Sequence, residues 1–268
     1  MSGGPSREFV AFDLETTGLV AEFDRVVEIG AVRFDAGGRE LGRFERLINP
    51  GRPMPARVQA VHGISDADVA GAAPAGEVLP DFLAFLGDPE TTTLVAHNAW
   101  FDAGFLGCEI DRMGGEAPGH AVVDTLALAR RKLPRLINHR LDTLARALDL
   151  DPEGPHRALA DSLRAKGLWL ALGGPDEPAD ALVAYPIFDA NRLSVAPVGW
   201  DLIAEAITSG RTVRMEYSGG TRGAGLREVT PRAFTQRGGV AYLVALCHLD
   251  ALEKSFRLDR VRWYEVIS

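Results

Sequence analysis

The sequence predicts an α/β protein: a mixed sheet flanked by helices, followed by a small β-rich domain. Three observations predict it. Three strand-like segments come first, in direct succession. Apolar strands then alternate with stretches of helical spacing, as a sheet covered by helices requires. Beyond a Gly- and Pro-rich break at 173–199, short β-rich segments with turn residues between them fill residues 200–268.

Residues 7–15 read as a strand, with Phe9, Ala11, Asp13 and Glu15 on one face and Val10, Phe12 and Leu14 on the other. Arg25–Phe34 and Leu41–Ile48 are the next two strands, and Gly37-Gly38 between them is a hairpin signal. Residues 56–72 and 77–86 carry helical spacing. A short buried strand follows at 91–96, then a helix at 101–113, a strand at 121–125, and helices at 126–132, 141–149 and 157–172. The segment 173–199 reads as a linker, although 182–188 is apolar enough to pack. After a helix at 200–209, strands are expected at 211–217, 226–234, 240–248, 254–258 and 261–267, enough for a small barrel or a strongly curved sheet.

Composition narrows the class. Of 268 residues 46% are hydrophobic and 25% charged, the balance of a soluble chain with a sizeable core. Cys108 and Cys247 alone cannot make a disulfide framework or a four-cysteine zinc site. No stretch has the length and apolarity of a membrane span, so a cytoplasmic protein without a membrane partner is expected. Residues 1–197 hold 19 Lys and Arg against 29 Asp and Glu, whereas 198–268 hold 10 against 8. A negative domain binds a negative polymer only through cations and a few placed basic groups.

Acids that fold together repel unless cations hold them. On a strand Asp13 and Glu15 project from the same side, and Thr16-Thr17-Gly18 offers a tight turn beyond them. Asp102 falls in the first turn of a helix. His97-Asn98, just upstream, stands either as a substrate contact or as a satisfied polar pair in a turn. His156 follows Gly154-Pro155 at the entry to the helix that carries Asp161, and an imidazole there suits proton removal from a metal-bound water. Together these groups point to metal-assisted phosphodiester cleavage.

Over residues 7–172 these blocks resemble the DEDDh exonucleases, the family of the proofreading subunit of bacterial DNA polymerase III, with a ribonuclease H-like fold. The resemblance rests on Asp13-x-Glu15-Thr-Thr-Gly, Val61-His62-Gly63-Ile64, His97-Asn98-x-x-Phe101-Asp102, Asp124-Thr125 and His156-x-x-x-x-Asp161. It implies two Mg²⁺ or Mn²⁺ held by Asp13, Glu15, Asp102 and Asp161, with His156 as the base. It further implies that Thr16 and Thr17 meet the terminal 3′-hydroxyl through backbone groups. Asn98 would contact substrate, and His62 and Phe101 would flank the last base or sugar. Asp124 stays outside the metal set, as an orienting group for backbone or basic groups.

Residues 200–267 resemble WYL domains, which implies a small Sm-like barrel. The resemblance is carried by Tyr217, Arg227, Pro231, Ala241-Tyr242-Leu243, Lys254, Phe256-Arg257-Leu258 and Asp259-Arg260-Val261, with alanine where the namesake tryptophan would stand. Arg227, Tyr242, Arg257 and Arg260 are its candidate nucleotide or single-strand ligands; surface pairing of the arginines with neighbouring acids is the alternative.

The implied activity is 3′→5′ exonucleolytic release of nucleoside monophosphates from single-stranded DNA or DNA 3′ ends, in a polymerase or repair setting. An exoribonuclease acting on RNA is the near alternative. A non-catalytic, end-binding or ligand-sensing regulator is the alternative from another class.

Overall fold

The computed structural model describes residues 7–150, 157–187, 191–192, 196–219, 223–237 and 240–267. His156 and its Gly154-Pro155 lead-in lie outside the described residues. The chain divides into two compact units, 1–189 and 190–268.

In the first unit, strands β1 (Glu8–Thr16), β2 (Val26–Asp35) and β3 (Glu40–Leu47) form an antiparallel meander, with the expected hairpin between β2 and β3. Its turn is closed by Asp35, whose Oδ1 accepts from the Gly37 and Arg39 N–H groups, with Gly38 at φ 86°. Helices α1 (Ala56–His62), α2 (Asp66–Val69) and α3 (Ala75–Leu86) follow. The single helix expected over 56–72 is broken: Gly63 adopts φ 75° and ends α1, and a Ser65/Asp68 capping box restarts the chain as α2. Then come β4 (Thr92–Ala96), α4 (Trp100–Arg112), β5 (Ala121–Asp124), α5 (Thr125–Lys132), α6 (Leu141–Ala147) and α7 (Ala158–Ala171).

The sheet order is β3-β2-β1-β4-β5-β6, where β6 (Ala184–Pro186) is an antiparallel edge strand on β5. The segment 173–199 is therefore not all connector, since Ala184–Pro186 within it joins the first sheet. β1, β4 and β5 run parallel at the centre and are buried on both faces. Val10, Phe12 and Leu14 pack with Phe82 and Phe105 on one side. Phe9 and Ala11 pack with Leu128, Leu144 and Trp169 on the other. The alternation expected for residues 7–15 thus holds, and both of its faces meet helices.

In the second unit β7 (Asn191–Arg192) joins β9, and α8 (Asp201–Ser209) precedes the sheet. β8 (Val213–Ser218), β9 (Ala224–Arg237), β10 (Val240–Cys247), β11 (Leu252–Arg257) and β12 (Val261–Val266) pair antiparallel in the order β11-β10-β9-β8-β12. Pro231 cannot donate to the ladder, and the β9–β10 register shifts there, between Val244 and Ala245. Ile203 and Ala206 of α8 share a core with Val213, Met215, Val229, Leu243 and Phe256. The expected β-rich second domain is thus a five-stranded antiparallel sheet preceded by a helix, with β11 and β12 at the ends of the pairing order; among the described residues no pairing joins these two strands.

Candidate active site

The first unit carries a carboxylate cluster built from β1 and α7. Trp169 of α7 packs on Phe9 at the start of β1, with ring centroids 5.7 Å apart. Eight residues back along a helix span ~12 Å, and four residues forward along a strand span ~13 Å. The contact therefore brings Asp161 level with Asp13. One oxygen from each of Asp13, Glu15 and Asp161 lies within 4.8 Å of the other two.

Asp102 reaches the same strand from the opposite face. β1 outruns its parallel partner, with pairing last at Ala11–Val95, and the Leu14 N–H donates instead to Asp102 Oδ1 at 3.1 Å. Asp102 is 2% exposed and stands beside the three-acid cluster, where its charge acts on Asp13.

Electrostatics follows from this crowding. Burial pushes the Asp13 carboxyl well above its usual range, and Asp102, Asp161, Glu15 and Glu28 push it the same way. Asp102 is raised by burial, opposed by the N–H groups of Leu14 and of Asp102 itself. Glu15 is pushed up to about 8 by burial, Asp161 and Glu28, with Arg157 pulling the other way. An all-oxygen donor set of this density fits a hard divalent cation. Asp161 also pairs with the buried Arg164 at 2.5 Å.

A pH dependence results. The metal-free fold holds the Glu15 proton more tightly than an unfolded chain whose glutamate titrates near 4.5. The stability from this group is complete below that value and is lost as pH rises towards about 8. In EDTA, the melting temperature of wild type minus that of Glu15→Gln should fall steadily across this window, and Mg²⁺ should reverse the fall. A flat difference would contradict the crowding.

Thr17 is fully buried: its N–H donates to the Arg25 carbonyl at 2.9 Å, and its hydroxyl accepts from the Arg25 N–H at 3.0 Å. The Thr16 hydroxyl donates to the Gly18 carbonyl at 2.6 Å. The Thr17 N–H thus closes the turn that follows β1. His62 is buried beside Thr16, its Nδ1 accepting from the Ile64 N–H at 3.0 Å, and burial holds its imidazole below the ordinary range. Phe101 is half-buried, its ring 4.7 Å from that of Phe105.

His97 resolves to the satisfied-pair reading, bonded through Nδ1 to the Thr125 hydroxyl and through Nε2 to the His139 carbonyl. Asn98 is exposed at φ 64°, its N–H donating to Asp124 Oδ1. The same oxygen accepts from the Ala99 and Leu126 N–H groups, so Asp124 orients backbone.

Sequence reasoning missed Glu28, which is completely buried, pairs with Arg157 and stands across from Glu15 in the β1–β2 register. Its signal was an acid inside the apolar run Val26-Val27-Glu28-Ile29. Such a charge is retained only with partners.

In the second unit, Tyr242 stands opposite Arg257 in register. The Arg257 N–H donates to the Tyr217 hydroxyl at 3.3 Å, and the Arg257 guanidinium pairs with Asp259. Arg260 lies against Gly219, and Arg227 donates to the Gly223 carbonyl, at the two ends of the β8–β9 turn.

A central mixed sheet with helices on both faces is a ribonuclease H-like fold, and it carries across β1 and α7 an oxygen-only acidic cluster suited to a divalent cation. Residues 10–168 match the Exonuclease family (RNase_T), and the chain belongs to it; residues 200–266 match the WYL domain. The DNA polymerase III subunit epsilon of Treponema pallidum is 42% identical over 156 residues, 58% of this chain and 71% of that protein. The PolC-type DNA polymerase III of Bacillus cereus is 42% identical over 154 residues, and the match spans 10% of that enzyme's length. A solved exonuclease X in complex with 5′ overhanging duplex DNA aligns with TM-score 0.51 and 27% identity, covering 65% of this chain and 96% of that one. Both cysteines are free and buried, and among the described residues no helix is long and apolar enough to cross a membrane.

Proposed function

We propose that this protein is a metal-dependent 3′→5′ exonuclease that shortens DNA from its 3′ end and releases nucleoside monophosphates, in replication proofreading or repair. The observation that carries the reading is the meeting of Asp13, Glu15 and Asp161, with Asp102 beside them, in an exonuclease-family domain. These four acids would hold two Mg²⁺ or Mn²⁺. When bound, the cations would polarise the scissile phosphate, lower the pKa of the attacking water and offset the charge on the leaving 3′-oxygen. His156 would take the proton from that water. Thr16, Thr17, His62, Asn98 and Phe101 would receive the terminal nucleotide. The second unit would hold a nucleotide or a single strand through Arg227, Tyr242, Arg257 and Arg260, and the protein would act in the cytoplasm, with a polymerase or repair complex as its partner.

The test is digestion of 3′-labelled and 5′-labelled single-stranded DNA and RNA with Mg²⁺ or Mn²⁺. Stepwise shortening from the 3′ end, lost in EDTA and faster on DNA, is the expected result. Faster digestion of RNA would make the protein an exoribonuclease. No metal-dependent cleavage of either polymer would leave an end-binding regulator.

A further inference from the structure

Asp13 and Glu15 come from β1, and Asp161 comes from α7; the cluster exists only while the first turn of α7 is held against the sheet. We propose that Glu28, acting through Arg157, is a positioning residue for this metal site, anchoring that first turn so that Asp161 meets Asp13 and Glu15. The proposal rests on the nuclease reading for its kinetic consequence, but not for its effect on cation binding.

Four observations converge. Glu28 stands directly opposite Glu15 on β2, where an acid facing an acid repels. It is nevertheless not placed as a further ligand, because both of its oxygens are engaged. Oε1 accepts from Arg157 Nε at 2.9 Å and also from Nη2, and Oε2 accepts from Arg157 Nε and from the Ala158 N–H, each at 2.9 Å. Arg157 is the residue immediately before α7, and its carbonyl accepts from the Asp161 N–H at 3.0 Å. One residue thus grips the sheet with its side chain and the metal ligand with its backbone. Two positions along β2, Gly30 stands opposite Asp13. A Cβ there would lie 2.1 Å from the Ala158 carbonyl carbon and the Leu159 nitrogen, so the helix start rests on bare backbone.

Hydrogen-bond partners that orient metal ligands typically contribute 10–100-fold to metal affinity. Glu28 acts one step further out, through the backbone of Asp161, and the lower part of that range is expected.

The experiment measures Mn²⁺ binding by calorimetry on the full chain, for wild type, Arg157→Met, Arg157→Lys and Glu28→Gln. Thermal melts and circular dichroism report folding. Arg157→Met is the primary variant, because the Arg157 side chain is 36% exposed and its aliphatic part is retained, whereas Glu28→Gln alters a fully buried group. Arg157→Met should weaken Mn²⁺ binding by about 10-fold and lower kcat with KM for DNA unchanged, excess Mn²⁺ restoring part of the rate. Arg157→Lys should recover part of the affinity. Folded Arg157→Met and Glu28→Gln with wild-type Mn²⁺ affinity would overturn the proposal. So would wild type that binds no Mn²⁺, whereas wild type that binds Mn²⁺ without cleaving would defeat only the nuclease reading.

Discussion

Asp13→Asn should lower metal-dependent cleavage by at least roughly 10³-fold and, in EDTA, raise the melting temperature of the same protein. The loss follows from magnitudes. A catalytic cation supplies several kcal/mol of transition-state stabilisation, and each 1.36 kcal/mol is a factor of ten. The gain follows from crowding, since Asp13 is raised by burial and by Asp102, Asp161, Glu15 and Glu28 together. Asn keeps the shape and removes the charge. A residue needed only for folding would move both quantities the same way. Single-turnover digestion of end-labelled DNA and melting in EDTA, with and without added Mg²⁺, measure the two arms. Cleavage retained within about tenfold would remove Asp13 from the metal site.

Gly30→Ala should disable the site without touching any acid. The added methyl would meet backbone of Ala158 and Leu159 at 2.1 Å, and backbone cannot swing aside as a long side chain can. Overpacking of a well-filled core costs about 1–3 kcal/mol. In a domain of this size each kcal/mol lowers the melting temperature by about 2–4 °C. Relief requires α7 to lift from β2, which carries Asp161 away from Asp13 and Glu15, so the metal requirement of the reaction should rise along with the stability loss. Gly71→Ala is the control, because a Cβ there meets nothing within 4 Å and its backbone is not left-handed. Melting curves and a Mn²⁺ titration of activity separate the two substitutions. Equal behaviour would mean that α7 is not seated on Gly30.

Legibility in the sequence varied with the range of the interaction. The alternation from Phe9 to Glu15 was readable because strand side chains alternate whatever lies above them. The break at Gly63 was harder: the apolar spacing on either side continues, and only the left-handed glycine followed by the Ser65/Asp68 box interrupts it. Ala184–Pro186 lies in an apolar stretch within a Gly- and Pro-rich segment, and its pairing with β5 makes it a strand. His97 was ambiguous for a related reason. Its two partners, Thr125 and the His139 carbonyl, are remote in the chain, and a ring nitrogen is free or satisfied according to what arrives from elsewhere.

The sequence by itself determined the chemistry: which acids are present, in what order, on which faces of their own elements, and hence that a divalent-cation nuclease site was to be expected. These are local properties, set by side-chain type and by the two- or 3.6-residue periods of the backbone. Only the tertiary structure decided that Asp161 meets Asp13 and Glu15 while Asp102 enters through the Leu14 N–H from the other face. It alone turned Glu28 from one acid among many into the partner of Arg157 beneath α7. Those outcomes depend on Trp169 seating against Phe9 and on Gly30 leaving room for a helix. Contacts between residues far apart in the chain follow from packing volume and burial, which no local period encodes.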